Sequence, residues 1–90
     1  MTLKEIFKQG KLQLEVNDVK QFSVVNIVFI FEGKEDETQL DVTHNIFTKT
    51  GQKELIELFE DLFGLSKNSV TYCVVVATVN TYKELIEMGY

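Results

Sequence analysis

The stretch Ser23-Val-Val-Asn-Ile-Val-Phe-Ile-Phe31 decides how this chain folds. β-Branched and aromatic residues dominate it, and both alternating sets of side chains are apolar except at Ser23 and Asn26. Because successive side chains of a strand point to opposite faces of a sheet, this composition is typical of an interior strand that is covered on both faces. One set comprises Val25, Ile27, Phe29 and Phe31, and the other comprises Val24, Val28 and Ile30.

Three further segments have the period of a strand. Residues 70–79 again lack a polar face, which predicts a second strand of the interior type. Residues 11–16 and 38–42 alternate strictly between apolar and polar side chains, which is typical of half-exposed strands. The acidic stretch 33–37 between the second and third strands is expected to form a hairpin connection.

Capping signals predict a short helix at each end of the chain. Thr2 is followed three residues later by Glu5, and Thr81 is followed in the same way by Glu84, which is the capping-box arrangement. We interpret this similarity as convergent capping rather than as an internal duplication, because a two-turn amphipathic helix needs little else.

A longer helix is predicted between the third and fourth strands. Thr48 or Thr50 is in place to cap its start, and Gly64 ends the pattern. The apolar residues at helical spacing are Leu55, Leu58, Phe59, Leu62 and Phe63. The opposite face is acidic except for Lys53, and it carries Glu54, Glu57, Glu60 and Asp61.

The elements follow the order α-β-β-β-α-β-α within one α/β domain of residues 1–90. We expect an α+β fold, a two-layer sandwich whose mixed sheet has about four strands. The first three strands should form an antiparallel meander, and the helical crossover should place the fourth parallel to the third or to a neighbour of it. Either the terminal helices wrap the second face of the sheet, or a second copy covers it in a homodimer.

Cysteine usage and hydropathy indicate the compartment. The single cysteine, Cys73, has no disulfide partner in the chain, which favours a reducing environment. The first residues lack the features of a signal peptide, and no apolar stretch approaches the roughly 20 residues of a membrane-spanning helix. We therefore expect a soluble, cytoplasmic protein that does not contact membranes.

All nine basic residues are lysines, and the chain has no proline and no tryptophan. This usage is typical of AT-rich coding sequence, so we infer a low-GC bacterium or one of its phages or plasmids. Without arginine, the chain lacks the side chain that best recognises phosphate and guanine in a bidentate manner. We therefore expect no direct binding of nucleic acid.

Negative charge is concentrated in one part of the chain. Residues 32–61 hold nine of its fourteen carboxylates and three lysines, a net charge of −6, whereas the remainder holds six lysines and five carboxylates, a net charge of +1. Such asymmetry bears on partners and solubility rather than on fold. One interpretation is a solvated surface that keeps the protein soluble. The other is that the hairpin and the helix adjoin and imitate a run of phosphates for a basic nucleic-acid-binding channel.

Candidate catalytic and metal-binding groups are few. His44 and Cys73 are the only histidine and thiol, and they could pair only if the end of the third strand met the middle of the fourth. We expect Cys73 in the core and His44 exposed at a strand end. The carboxylates of residues 32–41 lack the spacing that wraps a calcium ion, and no phosphate loop or zinc spacing is present. We predict no enzyme, no cofactor and no metal site.

The layout permits a comparison with a known class of protein. A short first helix precedes a three-stranded meander with the acidic tip Glu32-Gly-Lys-Glu-Asp-Glu37, and an acidic helix follows around Glu54-Leu-Ile-Glu-Leu-Phe-Glu-Asp61. This order, over residues 2–63, resembles that of small phage-encoded anti-CRISPR proteins, which block Cas9 by occupying its DNA-reading surface. The fourth strand and last helix depart from it. The resemblance implies partner-binding roles for Glu32, Glu35, Asp36, Glu37, Asp41, Glu54, Glu57, Glu60 and Asp61.

Two functions of different kinds follow. The first is a non-catalytic inhibitor from a mobile element, which docks its acidic flank on a basic host protein such as a Cas9-like effector. The alternative is a structural or assembly subunit of a phage or plasmid, which associates through the apolar faces of the second and fourth strands. Binding through carboxylates fades as salt rises, whereas association through apolar faces persists or strengthens.

Overall fold

The computed structural model describes residues 1–64 and 69–89. Within them the predicted α+β fold and the predicted order of elements are confirmed. No helix in this part of the chain is both long enough and apolar enough to cross a membrane. The elements are α1 (Leu3–Lys8), β1 (Gln13–Leu14), β2 (Phe22–Phe31), β3 (Lys34–Val42), α2 (Lys49–Phe63), β4 (Ser69–Val79) and α3 (Tyr82–Glu87).

The sheet is mixed, and its strands lie in the order β1-β4-β2-β3. β4 pairs in parallel with β1 and antiparallel with β2, which in turn pairs antiparallel with β3. The expected adjacency of β1 and β2 in a meander is therefore wrong, because β4 lies between them. The two strands with apolar residues on both faces, β2 and β4, occupy the centre of the sheet, as their lack of a polar face predicts. β4 runs in the same direction as β3, although it is not its neighbour.

β1 is much shorter than the alternation of residues 11–16 suggested. Turn hydrogen bonds at the end of α1 continue as far as Lys11, whose N–H donates to the carbonyl of Ile6, so the strand pairing begins only at Gln13. Leu12 packs against the core, whereas the Leu14 side chain is 43% exposed. The alternation therefore does not mark a six-residue strand. Only Gln13 and Leu14 pair with β4, and the Glu15 N–H adds one hydrogen bond to the Val75 carbonyl.

α1 and α2 pack on one face of the sheet, which we call the helix-side face. Phe29 of β2 is fully buried there, with its ring centroid 5.0 Å from that of Phe59 and 4.6 Å from that of Phe63. Burial of one such side chain contributes roughly 1.5–3 kcal/mol, and each aromatic pair adds about 0.5–1.5 kcal/mol. This cluster fixes the position of α2. The other buried residues in it include Leu3, Ile6, Val25, Ile27, Leu55, Cys73 and Val75.

The opposite face, which we call the open face, has a smaller apolar cluster at one end. Leu85 of α3 packs there against Val24, Ala77 and Val79. The six-residue α3 is too short to reach across a sheet whose central strands have ten and eleven residues. Of the two terminal helices expected to wrap the second face, only α3 lies there and covers part of it, whereas α1 packs on the helix-side face.

The predicted helix caps are present. The Thr2 hydroxyl accepts a hydrogen bond from the Glu5 N–H at 3.2 Å, while the Glu5 carboxylate accepts one from the Thr2 N–H at 3.1 Å. These bonds to Thr2 hold the pKa of the Glu5 carboxyl below its ordinary value. Thr48, rather than Thr50, caps α2, because its hydroxyl accepts the Gly51 N–H at 3.1 Å.

Candidate functional site

The acidic residues that follow β2 lie along a strand rather than in a loop. The turn consists of Glu32 and Gly33, which have φ angles of +52° and +80°, the signs that a type I′ hairpin turn requires. Lys34 already pairs with Phe31. The predicted hairpin between the second and third strands is therefore present, but its connection is the turn of Glu32 and Gly33, and the predicted bounds of 33–37 are wrong. Acidic residues and lysine are disfavoured in strands, but here the pairing with the long apolar β2 overrides that preference.

The pairing of β3 with β2 divides the carboxylates of β3 between the two faces. Directly paired residues of antiparallel strands share a face, so Asp36, which pairs with Phe29, lies on the helix-side face. Three other exposed carboxylates lie on the open face, where alternate residues are roughly 7 Å apart along the strand. We call this set the acidic row. It consists of Glu35, Glu37 and Asp41, which pair with Ile30, Val28 and Val24.

No lysine or histidine neutralises the acidic row among the described residues. The two ion pairs found there join His44 to Glu54 at 3.3 Å and Lys53 to Glu57 at 3.9 Å, and both involve α2. Like charges on one face of a strand repel each other. The row therefore presents negative charge that the fold itself does not compensate.

Glu54 has a role within the fold. Its carboxylate accepts hydrogen bonds from the Thr43 N–H at 2.8 Å, the Thr43 hydroxyl at 2.6 Å and the His44 N–H at 3.1 Å, and it lies 3.3 Å from Nδ1 of His44. Partial burial raises the pKa of this carboxyl, but the hydrogen bonds outweigh burial and hold it below its ordinary value. A partner that bound Glu54 would have to break these bonds, which tie α2 to the end of β3.

The remaining carboxylates of α2 lie on the other side of the sheet from the acidic row. Glu57 and Asp61 are exposed, whereas Glu60 is half-buried and lines a cavity of about 170 Å³ between α1, α2 and β4, near Lys4. α2 packs on the helix-side face, so the sheet separates its acidic residues from the row. The expected adjacency of hairpin and helix is therefore wrong for the acidic row, whereas Asp36 lies on the same face of the sheet as α2. The described residues thus carry negative charge on both faces of the sheet.

Cys73 and His44 are held apart. Cys73 is fully buried in β4, pairs with Ile27 of β2, and burial raises the pKa of its thiol to about 12. His44 follows β3 and is exposed, as expected. Because β2 lies between β3 and β4, the imidazole does not reach the thiol. A thiol that stays protonated near neutral pH is neither a good nucleophile nor a good metal ligand.

The open face also carries exposed apolar side chains. Tyr72 of β4 is 40% exposed beyond the end of α3, and α3 itself leaves Tyr82 and Ile86 exposed at 55% and 58%. Single exposed apolar residues are ordinary on a protein surface, but several near one partly covered sheet face favour a contact surface.

Some residues that shape the site gave little signal in the sequence. Thr43 and His44 meet Glu54 only because α2 folds back over the sheet, and no local pattern predicts that contact. Asn26 was easier to single out from the sequence, because it is the one amide in an apolar stretch. Its side-chain oxygen accepts a hydrogen bond from Gln39 Nε2 at 2.8 Å, across the strand pair beside the acidic row.

Comparisons of the chain with protein-family models, with curated proteins and with solved structures found no match. The resemblance to anti-CRISPR proteins and the partner-binding roles that it implies therefore stay predictions. The geometry and charge of the structure nevertheless divide the nine carboxylates named for those roles into engaged, half-buried and exposed groups. Glu54 is engaged within the fold, Glu60 is half-buried, and the acidic row is exposed and unpaired within the described residues.

Proposed function

We propose that this protein is a non-catalytic binding protein that docks its acidic row on a basic surface of another protein. The observation that carries the proposal is the row itself: three exposed carboxylates on one face of an edge strand, without a cationic partner in the described residues. The isolated fold gains nothing from this repulsion, whereas a partner with lysines or arginines in the matching place relieves it.

The partner proposed is a nucleic-acid-binding protein of the bacterial cytoplasm, and the specific candidate is a Cas9-like effector. A channel that holds a nucleic-acid backbone presents cationic side chains to successive phosphates. Glu35 and Glu37 are about 7 Å apart along the strand, and Asp41 follows about 13 Å further on, after Gln39, so the row offers such a channel three negative charges in line. The protein then acts as an inhibitor encoded by a mobile element, in line with its lysine-only, AT-rich composition.

Two features support binding rather than catalysis. The one thiol is buried and stays protonated, and the one histidine shares its Nδ1 with the Glu54 carboxylate and the Thr43 hydroxyl. The histidine ring is thus engaged in a contact that joins α2 to β3.

A second candidate function rests on the apolar side chains of the open face. Tyr72, Tyr82 and Ile86 are the groups through which the chain would associate with its own copies as an assembly subunit. Light scattering at micromolar concentration separates the two candidates. A dimeric mass that persists at about 0.5 M salt supports self-association through apolar contacts. At that concentration salt screens exposed charges that are more than a few ångströms apart.

The inhibitor proposal is tested by competition with DNA for a purified Cas9-like effector. The protein is mixed with the guide-loaded effector before a fluorescently labelled target duplex is added, because a duplex already paired with the guide does not exchange readily. We expect the duplex to stay unbound, and we expect the apparent affinity of the protein to fall as salt is raised from about 0.05 to 0.3 M. Full binding of the duplex at a large excess of the protein would exclude this effector as the partner.

A further inference from the structure

β3 is the only edge in the described sheet that is long enough to accept another strand. β1, at the other edge, has two residues, whereas β3 has nine and pairs on one side only, with β2. The pairing of β2 with β3 runs without interruption from Ser23 and Val42 to Phe31 and Lys34, while the pairing of β2 with β4 contains two register shifts. A long and regular edge is a template for an additional strand.

The outward backbone groups of β3 belong to the residues of the acidic row and to Gln39. Residues that flank a two-residue turn form a hydrogen-bonded pair, so Lys34 bonds to β2, and alternate residues after it do the same. The intervening residues point their N–H and C=O groups away from β2. The N–H of Glu37 confirms this direction, since it donates to the Asp36 carboxylate at 2.8 Å.

The charge of the row selects the kind of strand that fits. A neighbouring strand places its alternate side chains about 4.5–5.5 Å, between Cβ atoms, from those of the row. Lysines at alternate positions would therefore face Glu35, Glu37 and Asp41. A second copy of β3 fits badly, because its only cationic residue is Lys34 and its carboxylates would lie against carboxylates.

We propose, on the basis of the proposed function, that the basic partner adds an extended segment to β3 as a fifth, antiparallel strand. The segment carries lysine or arginine at alternate positions, opposite the acidic row. Its intervening side chains lie on the helix-side face beside Thr38 and the half-buried Leu40, so an apolar side chain fits there. The segment displaces the Asp36 carboxylate from the Glu37 N–H as it pairs.

The experiment uses two end-capped synthetic peptides of eight residues. The first alternates lysine with valine and threonine, and the second has the same sequence with methyl groups on the backbone nitrogens of its lysines. In the antiparallel arrangement those nitrogens face β3, so methylation removes the hydrogen bonds and keeps the charge. Binding to the protein is followed by amide resonances and by hydrogen exchange.

We expect the first peptide to bind about tenfold or more tightly than the second, the ratio that a few lost hydrogen bonds predict. It should also slow the hydrogen exchange of Glu35, Glu37, Gln39 and Asp41. Equal binding of both peptides that is lost in Glu35→Gln/Glu37→Gln/Asp41→Asn overturns strand addition and leaves docking on the acidic row intact. Absence of binding, or binding elsewhere on the surface, also overturns strand addition.

Discussion

Glu54 differs from the other acidic residues because its carboxylate is occupied by groups of the same chain. It receives hydrogen bonds from two consecutive residues, Thr43 and His44, that directly follow β3. A sequence pattern assigned it to the acidic face of a helix, which is correct for its position but not for its contacts. The contacts depend on the angle at which α2 crosses the sheet, and the Phe29 cluster sets that angle.

We predict that Glu54→Gln destabilises the protein by about 1–2 kcal/mol, because hydrogen bonds to a charged acceptor become bonds to a neutral one. Urea unfolding at pH 7 measures this change. Glu57→Gln is the matched control, since Glu57 takes part only in an exposed pair with Lys53, worth less than about 0.5 kcal/mol. Equal stability of the two variants would show that the contacts of Glu54 do not tie α2 to β3.

Glu54 should also make the stability of the protein depend on pH. Its pKa in the folded protein is below the ordinary value of 4.5, so its contribution is present above that pH and is lost as pH falls through the folded pKa. We expect the difference in unfolding free energy between the native protein and Glu54→Gln to be constant near neutral pH. It should shrink as pH falls below 4.5 and through the folded pKa of Glu54. A difference that grows on acidification would contradict this assignment.

Gly51 has a structural role inside α2. A Cβ atom on this residue would collide with the carbonyl group of Asn45, whose carbon lies at 2.6 Å, and would lie 2.9 Å from the carbonyl oxygen of His44. We predict that Gly51→Ala lowers stability by about 1–3 kcal/mol, although alanine is the better helix former. Thr50→Ala, at an exposed neighbour, should change the unfolding temperature little. A stable Gly51→Ala variant would refute this close packing.

Among the elements, those with strong local signals could be predicted from the sequence. The interior strands β2 and β4 followed from two apolar faces, and the helix starts followed from Thr2, from Thr81 and from the pair Thr48 and Thr50, of which Thr48 is the cap. The limits of β1 could not be predicted, because its partner β4 is distant in the chain. Those of β3 could not be predicted, because its pairing with β2 overrides the weak strand preference of its acidic residues. Alternation in residues 11–16 predicted β1 but overstated its length, and the charge of residues 34–37 hid the first part of β3.

The turn between β2 and β3 holds one residue, Glu32, in an unfavourable backbone conformation. Glu32 has a φ angle of +52°, which costs an ordinary L residue about 1–2 kcal/mol, whereas asparagine tolerates it and is common before glycine in such turns. We predict that Glu32→Asn raises the unfolding free energy by about 0.5–1 kcal/mol. Glu35→Asn, in the extended part of β3, serves as control and should bring no gain. Loss of stability in Glu32→Asn would contradict the type I′ turn.

For the whole molecule, the sequence revealed how much charge the acidic block carries but not how that charge is arranged. A block of −6 became two surfaces because the register of β3 placed Glu35, Glu37 and Asp41 on one face, while α2 packed on the other. A shift of one residue in that register would have moved these side chains to the helix side. The candidate docking surface was thus only partly predictable.

We propose that the acidic row, and not the acidic face of α2, is the docking surface. Affinity capture from a low-GC bacterial lysate that contains Cas9 tests it with the tagged protein and two variants. The first is Glu35→Gln/Glu37→Gln/Asp41→Asn, and the second is Glu57→Gln/Glu60→Gln/Asp61→Asn. Each variant removes three negative charges, so net charge alone affects them equally.

Mass spectrometry of the captured proteins then gives the answer. We predict that the native chain and the α2 variant recover the same basic nucleic-acid-binding protein, and that the variant of the acidic row loses it. Recovery of that protein by the acidic-row variant, or its loss with the α2 variant alone, would contradict the account and move the docking surface to the helix side.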